Sequence, residues 1–138
     1  CDRAFQIDRF HMDRALQNRP CSRIYTQAME NALAGVFADV LFVAEVDGRT
    51  AGYYSGRREH MDGLSIWVGH AISAAVSDAF RGRGVFKGLN AHLMHWFQAH
   101  CRLAEMGTYI SNNPIHQTWI RERLPIVRCN HMLAYFRE

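Results

Sequence analysis

Apolar residues recur along this chain with two different periods, one typical of helices and one typical of strands. In residues 20–34, and again in residues 85–101, they return every three or four positions, which predicts two amphipathic helices. Residues 40–56 form an apolar run that is interrupted at Asp47 and Gly48, a dipeptide that favours a tight hairpin turn. Two antiparallel strands are therefore predicted on either side of that turn.

The remaining apolar stretches predict shorter or less periodic elements. Residues 64–76 suit one central strand, or two strands with a bend near Gly69. A strand is predicted at 107–111, a helix at 116–124 and a closing strand at 128–136. Strands that alternate with helices in this way indicate a mixed α/β (α+β) sheet flanked by helices.

Composition and charge narrow the classes of function. The 138 residues are 49% hydrophobic and 21% charged, which is typical of one globular domain spanning 1–138. The first residue is Cys rather than Met, so an upstream N-terminal segment is allowed for. A net charge of +3, with the basic residues scattered, gives no reason to expect nucleic acid as a partner. No apolar run reaches the ~18 residues that a membrane span needs, so no membrane partner is expected.

The cysteines and histidines predict neither a disulfide framework nor a metal site. The cysteines are widely spaced and form no CxxC pair, which indicates reduced thiols and a cytoplasmic location (Cys1, Cys21, Cys101, Cys129). Three histidines lie close together in a predicted helix, but no Cys or carboxylate completes a zinc-like set beside them (His92, His95, His100). We therefore expect no metal.

Residues 76–89, VSDAFRGRGVFKGL, join a predicted strand to a predicted helix. The first turn of a helix has unpaired backbone N–H groups and a positive dipole end, which together bind phosphate. Gly82 and Gly84 let the backbone approach a ligand closely, and Arg81 and Arg83 supply charged donors suited to phosphate oxygens. The segment predicts a pyrophosphate site, and the alternative is a solvated glycine turn before a core helix.

This loop, in its context, resembles the acetyl-CoA signature Q/R-x-x-G-x-G/A of the GNAT superfamily of N-acetyltransferases. The segment from Arg81 fits that signature except at Phe86, where Gly or Ala is usual. The order of predicted elements in residues 20–136 is also that of the superfamily. The resemblance implies a mostly antiparallel, twisted sheet that is splayed where the acetyl arm enters, between the strands ending at Val76 and Ser111. It also implies acetyl-CoA as cosubstrate, with direct attack by an amine and no covalent enzyme intermediate.

The resemblance also implies roles for individual residues. The residues expected to bind the pyrophosphate are those of the loop (Arg81, Gly82, Arg83, Gly84, Val85, Phe86). Backbone N–H groups near Ala75 and Val76 are expected to polarise the thioester oxygen, and Asn112 to bond the pantetheine arm. Trp119 occupies the position where a tyrosine often protonates the departing thiolate. An indole N–H is no acid near neutral pH, so the thiolate leaves unaided or with water, another group serves, or activity is lost.

A base must take the proton of the attacking amine, since an ammonium group cannot attack. The first candidate is His70, which strand parity predicts to share a face with the side chains that follow it at alternate positions (Ile72, Ala74, Val76). Glu59 and His60, near the end of the sheet, are the alternatives.

The acceptor amine is less specified than the cosubstrate. Residues 9–13, the hairpin and residues 108–119 resemble enzymes that N-acetylate TDP-linked amino sugars, such as TDP-fucosamine-type acetyltransferases, which implies an amino sugar nucleotide. Arg57 and Arg58 are available for its phosphates. Acetylation of another amine, such as an antibiotic, a polyamine or a peptide N-terminus, and a non-catalytic CoA-binding module both stay open. A homodimer through the apolar segment MLAYF near the C-terminus is a further expectation.

Overall fold

The computed structural model of the chain describes residues 22–130. Three helices and four strands make up its regular structure, together with two short 3-10 turns, Asp62–Leu64 and Asp78–Phe80. In chain order the elements are α1 (Ser22–Leu33), β1 (Val40–Val46), β2 (Arg49–Met61), β3 (Ile66–Val76), α2 (Val85–His100), β4 (Leu103–Glu105) and α3 (Asn113–Arg121).

The four strands form one sheet in the order β1-β2-β3-β4. The first three are antiparallel neighbours, and β4 pairs with β3 in parallel. Asp47 and Gly48 both have positive φ angles, 51° and 70°, as the predicted hairpin turn requires. The predicted mixed α/β fold class is confirmed, and β2 extends five residues beyond the predicted end at position 56, to Met61.

Helix α2 packs across the sheet and forms the core with it. Leu93 and Phe97 are 0% and 2% exposed and form the core cluster together with Leu89 and Tyr54. At Gly69 a Cβ would lie 2.4 Å from Cδ1 of the Phe97 ring, so the absence of a side chain there lets the helix approach β3. The predicted helix over 85–101 is thus confirmed, and its apolar face is the face on the sheet.

Where strand β3 pairs with β2, it has one inserted residue that β2 does not match. Ser73 pairs with Ser55 and Ala71 pairs with Gly56, so Ile72 is the extra residue of a β-bulge. A bulge exchanges the two faces of the strand that follows it, and both Ala71 and Ala74 accordingly pack against the same core cluster.

The bulge corrects the predicted face of His70. Ala71 lies on the α2 face, so its neighbour His70 lies on the opposite face. Beyond the bulge Ala74 and Val76 lie on the α2 face, because they pair with Tyr54 and Gly52 of β2. The prediction that His70 shares a face with Ala74 and Val76 is therefore wrong, because strand parity does not carry across an inserted residue.

Two elements in the second half also differ from the prediction. The strand predicted at 107–111 is wrong: β4 occupies Leu103–Glu105, and residues 106–109 have no regular structure. Helix α3 begins at Asn113 instead of position 116, because Pro114 suits the first turn of a helix, where its missing N–H is no loss. Of the closing strand predicted at 128–136, residues 128–130 are irregular and the rest lie outside the described residues.

Candidate CoA-binding and transfer site

The sheet has a fork between β3 and β4. The parallel pairing joins only Val68–His70 of β3 to Leu103–Glu105 of β4. From Ala71 to Val76, no strand within residues 22–130 pairs with the edge of β3 that faces away from β2. That open edge begins beside His70 and ends where the chain enters the RGRG loop. An extended ligand can add to such an edge through backbone hydrogen bonds.

Alternation along the ladder determines which amides face the open edge. Ser77 N–H donates to Ala51 O at 2.9 Å, so this pair is a hydrogen-bonded pair of the antiparallel ladder. Two residues earlier, Ala75 belongs to the next such pair and directs its N–H towards β2. The N–H groups of Ala74 and Val76 therefore face the open edge. The N–H of Val76 thus faces the open edge, as its predicted role requires, whereas that of Ala75 faces β2 and that of Ala74 faces the open edge.

The loop after β3 ends at an uncapped helix. Gly82 and Gly84 have φ angles of +73° and +80°, a left-handed conformation that favours glycine. Gly84 is the N-cap of α2, and no side chain caps the helix. The first intrahelical bond runs from Gly88 N–H to Gly84 O, so the amides of residues 85–87 have no partner within the helix. This arrangement is suited to an anion.

The two loop arginines differ in their surroundings. Arg81 Nη1 lies 2.9 Å from Asp78 Oδ1, and its Nε donates to Val76 O at 3.4 Å. Arg83 lies over the ring of Phe80, 5.6 Å from its centroid, and pairs with no carboxylate in the described part of the chain. The charge of Arg83 is thus free for a ligand, whereas that of Arg81 is partly neutralised.

Phe86, the residue that departs from the acetyl-CoA signature, turns into the protein. Its ring centroid lies 5.5 Å from that of Tyr54, and it packs against the core cluster. The residue therefore belongs to the hydrophobic core rather than to the loop surface, and it leaves the loop open.

His70 lies at the apex of the fork, at the last position where β3 pairs with β4. Its Nδ1 is 3.3 Å from Glu105 Oε1 and its Nε2 is 3.8 Å from Glu59 Oε2; the imidazole is 25% exposed. The structure thus brings His70 and Glu59 together. His60 is not part of this group, because it pairs with Trp67 across the hairpin and contacts that ring edge-on, on the other face.

The remaining predicted site residues lie on α3 and just before it. Asn112 Nδ2 donates to Thr108 Oγ1 at 2.9 Å, so its amide nitrogen already has a partner within the chain. The indole Nε1 of Trp119 is buried and has no hydrogen-bond partner among residues 22–130. The predicted splay between strands ending at Val76 and Ser111 needs correction, because no strand ends at Ser111; the sheet instead opens between β3 and β4, which ends at Glu105.

Two polar pairs were not singled out from the sequence. Tyr53 and Ser73 share a hydrogen bond of 3.0 Å between Oη and Oγ on the face opposite α2. Asn90 Nδ2 donates to Glu122 Oε2 at 2.5 Å between α2 and the end of α3. Asn90 carried a signal, since it is a polar residue on the apolar face of a helix. The Tyr53–Ser73 pair carried none, because its register depends on the bulge.

Two further findings concern metal ions and membranes. Among residues 22–130 no three or more His, Cys, Asp and Glu side chains are grouped so that they could hold a metal ion, and the expectation of a metal-free reaction stays a prediction. In the same residues no helix has the length and apolar character needed to cross a bilayer.

Comparison with known proteins gives a consistent result. The sequence profile of the acetyltransferase (GNAT) family matches residues 7–121. A solved ribosomal-protein-alanine N-acetyltransferase from Brucella melitensis biovar Abortus 2308 is similar over 84% of this chain and 89% of its own, with 15% identity and a TM-score of 0.62. An aminoglycoside N-acetyltransferase, AAC(6')-Iy, in complex with CoA is similar over 85% of this chain and 90% of its own, with 23% identity and a TM-score of 0.58. No curated protein sequence matches the chain.

Proposed function

Because the chain belongs to the acetyltransferase (GNAT) family, we propose that it transfers the acetyl group of acetyl-CoA to a primary amine of an amino sugar. The observation that best supports this proposal is the open edge of β3, which leads from the fork to the uncapped N-terminus of α2. An elongated ligand with an anionic end and an amide-bearing arm fits that path.

In this proposal the two ends of the cosubstrate meet different groups of the chain. The pyrophosphate is held by the free amides of the first turn of α2, together with Arg83 and the adjacent Lys87. The pantetheine arm pairs with the backbone of the open edge, as an added strand does. The thioester is thereby directed to the fork beside His70.

In the acyl transfer, hydrogen bonds from the protein act on the thioester oxygen and on the departing sulfur. The amine nitrogen attacks the thioester carbon, and the oxygen that becomes negative accepts a hydrogen bond from an N–H of the open edge, of which that of Ala74 lies nearer the fork than that of Val76. A preorganised donor of this kind contributes about 3–4 kcal/mol to transition-state stabilisation in other enzymes. The C–S bond breaks and CoA leaves as the thiolate, since Trp119 offers a hydrogen bond but no proton at neutral pH.

His70 is the proposed base. It takes the proton of the amine, directly or through one water, and the neighbouring carboxylates of Glu105 and Glu59 stabilise the imidazolium that forms. Its position at the apex of the fork supports this role. Its face, opposite α2, implies that the amine approaches from that side of the sheet.

The acceptor class rests on similarity and on charge. Sequence resemblance favours an amino sugar nucleotide, but Arg57 pairs with Glu59 at 3.5 Å while Arg58 lies over Trp67 on the other face. The two arginines therefore do not converge on one phosphate site. An aminoglycoside is the second candidate, because the carboxylates around His70 suit a cationic acceptor, and a solved neighbour is AAC(6')-Iy with a bisubstrate analogue of CoA and acetylneamine.

The test measures thiol release from acetyl-CoA with a panel of amines: a TDP-amino sugar, an aminoglycoside, a polyamine and a peptide. We expect turnover with an amino sugar, and a loss of kcat/KM of roughly a hundredfold or more in His70→Gln, the range of general base catalysis. The matched control is His95→Gln, which changes an exposed histidine of α2.

Each result of this assay has a distinct meaning. Binding of acetyl-CoA without turnover of any amine would indicate a non-catalytic CoA-binding module. Turnover that His70→Gln leaves intact would assign the base elsewhere. Absence of acetyl-CoA binding by the folded protein would overturn the proposed function.

A further inference from the structure

Two buried polar side-chain atoms have no hydrogen-bond partner among residues 22–130: Asn90 Oδ1, an acceptor, and Trp119 Nε1, a donor. Buried polar groups in folded proteins are nearly always paired, so each such atom needs an explanation. Trp119 lies at the position already considered for the departing thiolate. Asn90 has no role in the site so far, and it is the more completely buried of the two.

The orientation of the Asn90 amide is fixed by its partner. Asn90 is 0% exposed, and its Nδ2 donates to Glu122 Oε2 at 2.5 Å. An ionised carboxylate accepts hydrogen bonds and donates none, so the amide nitrogen must face Glu122 and the amide oxygen must face elsewhere. The Glu122 bond therefore presents Asn90 Oδ1 as a held, desolvated acceptor.

The position of Asn90 relates this acceptor to the proposed path of the cosubstrate. Asn90 lies six residues beyond Gly84, hence roughly 9 Å along α2 from the terminus proposed to bind the pyrophosphate. Its bond to Glu122, the C-cap of α3, shows that it lies on the side of α2 that faces the end of α3. An arm that runs from that terminus to the fork passes the level of Asn90.

We propose that Asn90 is a CoA-binding residue whose Oδ1 accepts a hydrogen bond from an amide N–H of the pantetheine arm, while Glu122 holds its side chain in position. The inference rests on the proposed function, because it presupposes that acetyl-CoA is the cosubstrate. A donor on the ligand explains why a fully buried helix position holds an amide instead of an apolar side chain.

The test compares two ligands by calorimetric titration of Asn90→Leu: CoA, and 3′-phospho-ADP, which is CoA without the pantetheine arm. The variant replaces the acceptor with an apolar side chain of similar size. We expect affinity for CoA to fall roughly tenfold, as for a lost buried hydrogen bond, and affinity for 3′-phospho-ADP to stay unchanged. Gln98→Leu, an exposed change on the same helix, is the matched control.

A second variant separates the loss of a ligand contact from a loss of native structure. Asn90→Leu leaves the Glu122 carboxylate beside an apolar group, so Asn90→Leu/Glu122→Leu removes both polar partners and restores packing. The same selective loss of CoA affinity is expected in the double variant. Equal losses for the two ligands, or no loss for either, would show that Asn90 is structural and overturn the inference. Equal affinity of the wild-type protein for 3′-phospho-ADP and CoA would show that the pantetheine arm adds no binding, and would also overturn the inference. If the wild-type protein binds neither ligand, the proposed function itself is overturned.

Discussion

Arg81 and Arg83 are two residues apart in one loop, but their guanidinium groups have different neighbours. Arg81 is held by Asp78, and Arg83 pairs with no carboxylate within residues 22–130. The sequence predicts both as phosphate-binding residues, because nothing in RGRG separates them. Their difference comes from Asp78, which lies in the turn that precedes the loop, and that pairing depends on the folded backbone.

Arg83→Ala is therefore expected to raise the dissociation constant of acetyl-CoA by roughly five- to tenfold, because it removes a charged donor that is not already paired. Arg81→Ala is expected to raise it less. Calorimetric titration at low ionic strength measures both, and raised salt should reduce the difference, since both side chains are exposed. Arg23→Ala on α1 serves as the control. A larger loss in Arg81→Ala would contradict this assignment.

At the scale of elements, the contact between α2 and β3 depends on one missing side chain. The Phe97 ring occupies the space that a Cβ of residue 69 would need, with three ring atoms within 2.4–2.9 Å. The ring is fully buried among core residues and cannot move away without cost.

Gly69→Ala is accordingly expected to lower the free energy of unfolding by about 1–3 kcal/mol, the cost of overpacking a core. The matched control is Gly63→Ala, because a Cβ at position 63 meets no atom within 4 Å. Urea denaturation of the two variants measures the difference. If both variants unfolded at the same denaturant concentration, the helix would have more freedom to shift than the packing implies.

The same scale shows where sequence periodicity succeeds and where it fails. The helix over 85–100 and the hairpin at Asp47 and Gly48 were predictable, since apolar spacing and turn chemistry are local. The strand predicted at 107–111 failed because a strand also needs a partner in register, and the chain after Glu105 no longer pairs with β3. The bulge at Ile72 was not visible either, because one inserted residue leaves the composition of an apolar run unchanged.

At the scale of the whole molecule, two neighbouring tyrosines of β2 make the free energy of unfolding depend on pH in the alkaline range. Burial raises the pKa of Tyr53, although its hydrogen bond with Ser73 opposes this. Burial also raises the pKa of Tyr54 well above the usual value near 10, and the Glu122 carboxylate adds to the shift. The native state therefore keeps protons that the unfolded chain releases above pH 10.

Stability is thus expected to be fully present below about pH 10 and to fall above it, by at most about 1.4 kcal/mol per pH unit for each tyrosine. Urea unfolding at pH 9, 10 and 11 measures this slope. Tyr54→Phe should flatten the slope relative to wild type, and the raised pKa of the partly exposed Cys101 thiol is common to both proteins. An equal slope in the two proteins would show that Tyr54 does not carry the effect.

The candidate site could be predicted only in part for a related reason. The loop and its helix were identifiable because glycine, arginine and helix start are adjacent in sequence. His70 was named, but Glu105, its closest carboxylate, lies 35 residues away and meets it only through the parallel pairing of β3 with β4. The Asn90–Glu122 bond likewise joins residues 32 apart. Contacts between distant segments depend on the assembled fold, and no single segment contains them.

Beyond the bulge at Ile72, the ladder with β2 fixes how many residues the chain must keep before Val76. Deleting Ile72 itself would remove the bulge and leave Ala74 and Val76 in register. Deleting a residue after it would turn Val76 away from α2 and direct other amides to the open edge. Exchanging a side chain for another of similar size would leave both in place. Residues 73–76 should therefore tolerate substitutions far better than insertions or deletions. The exposed turn around Gly63, before the start of β3, should tolerate both.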